Sequence, residues 1–135
     1  MIRKVIAILS VIVILSTLFC ACRNEDTQYN FVKISAAEAK EMLDKGGYVL
    51  IDVRKQEEYD EKHIPGCILV TIDKEDVEAF KEAIVKAAPD KNAKTIVYCK
   101  AGFRSEIAAK AMCTLGYTDV YDLTEGMDGW TYEVE

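Results

Sequence analysis

The sequence predicts an α/β fold, a parallel sheet flanked by helices on both faces. Three features carry that prediction. Short strand-like runs alternate with helical patterns along the chain, connections between them are short, and the run leading to Asp52 is apolar on successive residues rather than on every second one. A strand covered on both faces needs that last feature.

The elements follow in order. Phe31-Val32-Lys33-Ile34 predicts a short strand. Ser35-Ala36-Ala37-Glu38 is a capping box, and the helix it opens runs to about Lys45 before Gly46-Gly47 stops it. Residues 48–53 are an apolar run with their first charge at Asp52, which suits a buried strand ending there. The charged stretch 54–62 predicts a loop with a short helix. His63-Ile64-Pro65-Gly66 then turns the chain, because Pro65 pushes Ile64 out of the helical region. Residues 67–70 predict another short strand. Val77, Phe80, Ala83, Ile84 and Ala87 recur at helical spacing before the Pro89-Asp90 break. Residues 95–98 are the cleanest strand, and Cys99 ends it. A second amphipathic helix covers about 104–115, with Ile107, Ala108, Ala111, Met112 and Leu115 inward and Gly116 as its cap. Residues 120–123 are the last strand, and Glu125-Gly126-Met127-Asp128-Gly129-Trp130 reads as a Gly-rich turn. Ligands of such sheets bind at the carboxyl ends of strands, where Asp52 and Cys99 both fall.

The start of the chain has a different character. Met1-Ile2-Arg3-Lys4 is basic, and residues 5–22 carry no charge and are rich in Val, Ile and Leu. That pattern describes a secretory signal peptide, and its length also suits an uncleaved membrane anchor. Leu18-Phe19-Cys20-Ala21-Cys22 resembles a bacterial lipoprotein signal, in which Cys22, preceded by the small Ala21, is the lipid-attachment residue. The expected organisation is a signal peptide at 1–22, a polar tether at 23–30 and one folded domain at 31–135. The expected location is extracytoplasmic, anchored to the bacterial cell membrane through a lipid or the N-terminal segment.

The chain has 23 acidic and 17 basic residues and a formal charge of −6. Loss of Arg3 and Lys4 with a leader makes the remainder more acidic still. That balance argues against nucleic acid as a partner, and it leaves any anion site to depend on local backbone dipoles and a particular arginine. Beyond the leader stand Cys67, Cys99 and Cys113, an odd number, so at least one thiol is left over. A Cys67–Cys113 pair that leaves Cys99 free fits the count. With a single histidine and no paired cysteine motif, no metal site is expected.

The stretch Cys99-Lys100-Ala101-Gly102-Phe103-Arg104-Ser105 is the most informative. A strand delivers the cysteine, a loop containing Gly102 turns sharply, and a helix begins near Arg104. Successive N–H groups in that arrangement converge into an anion-binding nest, reinforced by the helix N-terminus. The same field favours thiolate over thiol. Lys100 and Arg104 can help hold an anion, and the Arg104 fork can clamp an oxyanion bidentately.

These residues resemble the rhodanese-like domain family. The resemblance is carried by Ile51-Asp52-Val53-Arg54, Glu58-Tyr59, His63-Ile64-Pro65-Gly66, Val97-Tyr98-Cys99 with its loop to Arg104-Ser105, and Gly126-Met127-Asp128-Gly129-Trp130. It spans roughly residues 31–132. It implies a rhodanese-like α/β fold around a five-stranded parallel sheet, and it implies sulfur transfer without a cofactor. Cys99 would take the outer sulfur of thiosulfate, a polysulfide or a protein persulfide and pass it to a thiol or cyanide. Lys100, Ala101, Gly102, Phe103 and Arg104 would form the anion-binding loop, with Lys100 and Phe103 shaping donor preference. Phosphatases of related fold have five residues between the cysteine and the arginine; the four here are the tighter spacing of sulfurtransferases. Asp52 would accept hydrogen bonds from the loop, Arg54 would contribute to the cleft, His63 would fix its turn, and Trp130 would pack the last turn onto the body. Two alternatives stay open: a thiol–disulfide protein pairing Cys99 with Cys67 or Cys113, and a non-catalytic binding module.

Overall fold

The protein is described from a computed structural model that covers residues 29–135. The expected leader, Cys22 and most of the tether lie outside the described residues. Strands β1 (Phe31–Ile34), β2 (Tyr48–Asp52), β3 (Ile68–Leu69), β4 (Lys94–Tyr98) and β5 (Val120–Leu123) form one sheet in the order β1-β5-β4-β2-β3. Every pairing is parallel. The helices are α1 (Ala36–Lys45), α2 (Gln56–Glu61), α3 (Val77–Ala87), α4 (Phe103–Thr114) and α5 (Gly126–Gly129).

Alternation along the strands divides the core in two. Ile51, Val97, Cys99 and Val120 face α3 and α4, where Phe80, Ile84, Ala108 and Met112 meet them. Leu50, Ile96, Tyr98 and Leu123 face the other way, onto Ala36 and Ala39 of α1 together with Ile64, Met127 and Trp130. Consecutive residues of β2 and β4 are thus buried on opposite sides, as their unbroken apolar runs require.

The ends of α1 are fixed locally. The Ser35 side chain accepts from the Glu38 N–H while Glu38 reaches back to the Ser35 N–H at 2.8 Å, and the Gly46 N–H closes on the Leu43 carbonyl. Such reciprocal capping satisfies donors that the first turn leaves free.

Four sequence expectations about the elements are corrected. The strand expected over 67–70 shortens to Ile68–Leu69, because only Ile51 and Asp52 of β2 offer it partners. Residues 126–129 coil into α5 rather than a simple turn, with the Trp130 N–H closing on the Met127 carbonyl. In α4 the buried stripe includes Ser105 and Ala109, while Ile107 and Leu115 sit at its margin. Small side chains let α4 lie close on the sheet, so the buried face is wider than the large apolar residues mark out. Ala83 of α3, expected inward, is exposed.

Candidate active site

Cys99 follows β4, the strand lying between β5 and β2, and its side chain is 1% exposed. The chain reverses at Gly102, whose φ of +94° belongs to the left-handed region. A Cβ there would lie 2.3 Å from the Thr124 carbonyl oxygen, so the turn needs glycine for space as well as for conformation. The Gly102 N–H donates to Cys99 Sγ at 3.1 Å. Helix α4 starts at the next residue and directs its N-terminal dipole into the same region.

The outer side of the loop is held by α5. The Met127 N–H donates to the Cys99 carbonyl at 2.9 Å and the Asp128 N–H to the Lys100 carbonyl at 3.0 Å. Close approach depends on Gly126, where a Cβ would meet those two carbonyl oxygens at 2.4 and 2.5 Å. With its first carbonyls turned outward to α5, the loop leaves the Gly102 amide for the sulfur.

Arg104 closes the loop in a way the sequence did not indicate. Two of its N–H groups grip Glu58 of α2 at 2.7 and 2.9 Å. The fork expected to clamp an oxyanion is therefore occupied by a carboxylate of the chain itself and ties the loop to α2. Hydrogen bonding from Arg104 lowers the Glu58 carboxyl to about 2, and the same pairing raises Arg104. Lys100, at the rim, pairs with Asp128 at 3.2 Å. Phe103 projects outward and is 82% exposed. Beside the loop is a cleft of about 260 Å³ bordered by Arg54, Glu58, Lys62, Lys100 and Asp128.

Asp52 and Arg54 are brought to the site's edge and bound to each other. Asp52 accepts from the Arg54 backbone N–H at 2.9 Å, from Nε at 3.0 and 3.1 Å and from a terminal nitrogen at 2.7 Å. Its oxygens are thus spent on Arg54, and the expected bonds from Asp52 to the loop are replaced by this pair. Burial works against the charge of Arg54, but hydrogen bonding to Asp52 overcomes it and the guanidinium pKa is raised. Arg54 also donates to the Lys62 carbonyl at 2.8 Å.

His63 is held by α2 and by Glu135, whose backbone exchanges two hydrogen bonds with its own. Its ring stacks on Tyr59 at 3.8 Å, and Nδ1 donates to the Tyr59 carbonyl at 2.9 Å. Trp130 is 9% exposed in the core beneath α1.

The other cysteines are poorly placed to pair with Cys99. Cys67 packs among the residues of the α1 face and accepts from the Tyr98 hydroxyl at 3.4 Å, whereas Cys99 faces α3 and α4. Cys113 lies eight residues along α4 from Ser105, about 12 Å at helical rise, and a disulfide needs Cα atoms within about 7 Å. Burial pushes both the Cys67 and Cys113 thiols up. In this structure all three thiols are free, Cys67 contacts the Tyr98 hydroxyl, and Cys99 contacts Ser105 and the Gly102 amide.

Residues 35–133 match the family described as Rhodanese-like domain, and the chain belongs to that family. The chain is 33% identical over 100 residues to the thiosulfate sulfurtransferase GlpE of Coxiella burnetii, covering 74% of this chain and 87% of that protein. It is 40% identical over 70 residues to the thiosulfate sulfurtransferase PspE of Escherichia coli, covering 52% and 62%. A solved structure of a rhodanese with anions from E. coli superposes with a TM-score of 0.56 at 33% identity, covering 65% of this chain and 96% of that one.

Glu58, Ser105, Asp122 and Gly126 were not singled out from sequence as site residues. Glu58, Ser105 and Gly126 stood within the family-matching segments, which was the available signal. Asp122 reads as one polar position in a strand, and nothing local marks it.

Proposed function

We propose that this protein is a sulfurtransferase that carries sulfane sulfur as a persulfide on Cys99. One observation carries the proposal: a buried cysteine sulfur at the end of β4 accepts the Gly102 N–H at 3.1 Å, with a four-residue loop closed by Arg104. The thiosulfate sulfurtransferase relatives support the same chemistry.

In the first half-reaction the Cys99 thiolate attacks the outer sulfur of the donor. A new S–S bond forms at Cys99, the donor's own sulfur bond breaks, and its electron pair leaves with the inner fragment, which is sulfite when thiosulfate is the donor. In the second, a thiolate or cyanide attacks the terminal sulfur, and the Cys99 thiolate is restored. Both steps are displacements at sulfur, so neither needs a cofactor. The Gly102 amide and the α4 N-terminus stabilise the negative charge on sulfur before and after loading. Donors in keeping with the cleft are small sulfur-containing anions and protein persulfides, and the acceptor class is thiols.

We infer the site of action from residues 1–22. The basic start, the uncharged apolar run and Ala21-Cys22 support a lipid-anchored protein in an extracytoplasmic space of a bacterium.

The test is intact mass of the reduced full-length chain after incubation with thiosulfate or polysulfide, followed by cyanide. One added sulfur that is absent in Cys99→Ser, and that is released as thiocyanate, is the expected result. A freely alkylatable Cys99 that gains no sulfur from either donor would reject sulfur transfer and favour a binding module.

A further inference from the structure

Asp122, on β5, is a buried carboxyl that the chemistry above leaves unused. It is 1% exposed, and neither of its oxygens has a hydrogen-bond partner among the described residues. A carboxylate so placed is costly unless it pairs or takes up a proton. Burial raises its pKa above the usual carboxylate range, opposed by the Ser105 hydroxyl and the Lys33 ammonium.

Its position relates it to the sulfur. Asp122 stands opposite Val97 of β4 and Lys33 of β1 in the sheet register. Cys99 lies two residues beyond Val97 and faces the same side, which makes the carboxyl and the thiol diagonal neighbours. Ser105, fully buried, contacts Cys99, and its hydroxyl is the polar side-chain group that bears most on the Asp122 carboxyl. The Ser105 Oγ is 3.5 Å from Cys99 Sγ, and its hydroxyl donates to the Gly102 carbonyl at 3.1 Å. The other charged groups around Asp122 are committed elsewhere. Lys33 pairs with Glu106 of α4 at 3.0 Å, and Glu106 pairs again with Lys110 at 2.8 Å. From β4 the facing residue is apolar Val97. A cavity of about 200 Å³ behind the loop, bordered by Lys33, Gly102, Phe103 and Asp122, gives this region a route to solvent.

We propose that Asp122 is the proton partner of Cys99: a single proton is shared between its carboxyl and the Cys99 thiol by way of the Ser105 hydroxyl. The thiol S–H bond breaks as its proton passes to Ser105 Oγ, and the Ser105 O–H bond breaks as its proton passes to an Asp122 oxygen. One O–H bond forms on each acceptor, no atom changes oxidation state, and one negative charge moves from carboxylate to sulfur. Ser105 makes the transfer by turning from the Gly102 carbonyl to Asp122. The physical reason is that two anions so close in the core repel, so the thiolate forms as the carboxylate disappears. Asp122 is a positioning residue in this scheme, because it acts on sulfur through Ser105.

The inference deepens the reading of Cys99 as nucleophile, and its test contains no sulfur donor, so the two can fail separately. The rate of Cys99 alkylation by iodoacetamide is measured against pH on the full-length chain in detergent, resolved from the other cysteines by peptide mass. In the parent the profile should be broader than one proton allows. In Asp122→Asn it should narrow to a single transition and move to lower pH by about one unit, the effect of removing one neighbouring negative charge. Superimposable profiles in a folded Asp122→Asn would overturn the proposal. Should that variant not fold, the ¹³C carboxyl resonance of Asp122 is titrated in the parent before and after Cys99 is alkylated. Coupling is reciprocal, so the Asp122 midpoint should shift on alkylation; an unmoved midpoint would overturn the proposal.

Discussion

Replacing Asp52 by alanine removes one half of a buried ion pair, and its cost can be worked from the contacts. Asp52 is 0% exposed and Arg54 4% exposed, so neither charge is solvated by water. Asp52 takes up the Arg54 backbone N–H, Nε and one terminal nitrogen, and only the Lys62 carbonyl, at 2.8 Å, would remain as an acceptor. Stranding a buried charge costs about 3–5 kcal/mol, and the surviving bond to Lys62 puts Asp52→Ala near the lower figure. For a domain of this size about 3 kcal/mol lowers the melting midpoint by about 12–24 °C. Urea and thermal unfolding followed by circular dichroism would measure it. The double variant Asp52→Ala/Arg54→Met discards the stranded charge and should recover more than half of the loss. A single-variant loss below about 1 kcal/mol, or a double variant no more stable than the single, would refute the reasoning.

Other expectations are as direct. Glu58, held at about 2 by Arg104, contributes stability that is complete above its unfolded value of about 4.3 and lost as pH falls through about 2. Glu58→Gln should therefore show a flatter dependence of unfolding free energy on pH across that window, and equal slopes would exclude the linkage. Gly126→Ala forces a side chain onto the Cys99 and Lys100 carbonyls at a φ of +55°, costing about 1–3 kcal/mol. It should slow sulfur loading of Cys99 at least about tenfold as the loop shifts; loading at the parental rate, read by intact mass, would show that the loop tolerates the displacement. Phe103→Ala removes a side chain that is 82% exposed, so stability should change by less than about 0.5 kcal/mol. Its effect should appear in the ratio of KM for thiosulfate to KM for polysulfide, and an unchanged ratio would remove Phe103 from donor contact.

Much of the fold is written in local pattern. The unbroken apolar runs of β2 and β4, the capping box at Ser35 and the spacing of Phe80 and Ile84 each declare an element through its own residues. Cys99, Gly102 and Arg104 are legible for the same reason: strand, turn and helix start are neighbours in sequence, and the turn that aims the Gly102 amide at the Cys99 sulfur is a property of that short stretch.

What lay beyond reach depends on distant segments. That Arg104 grips Glu58 and that the α5 amides hold the Cys99 and Lys100 carbonyls follow from how α2 and α5 are brought against the loop, whereas the Asp52–Arg54 pair is local, two residues apart, and tertiary packing decided only its burial. Asp122 is the clearest case. Alternation places it on the face of Cys99 only after β5 has taken its register beside β4, and it loses its water only when α4 closes over that face. The sequence by itself determined most of the elements, the family and the cysteine loop on which the proposed chemistry rests. The tertiary structure alone decided the partners of each charge, because ion pairing, desolvation and proton sharing depend on distances across the core that no local pattern encodes.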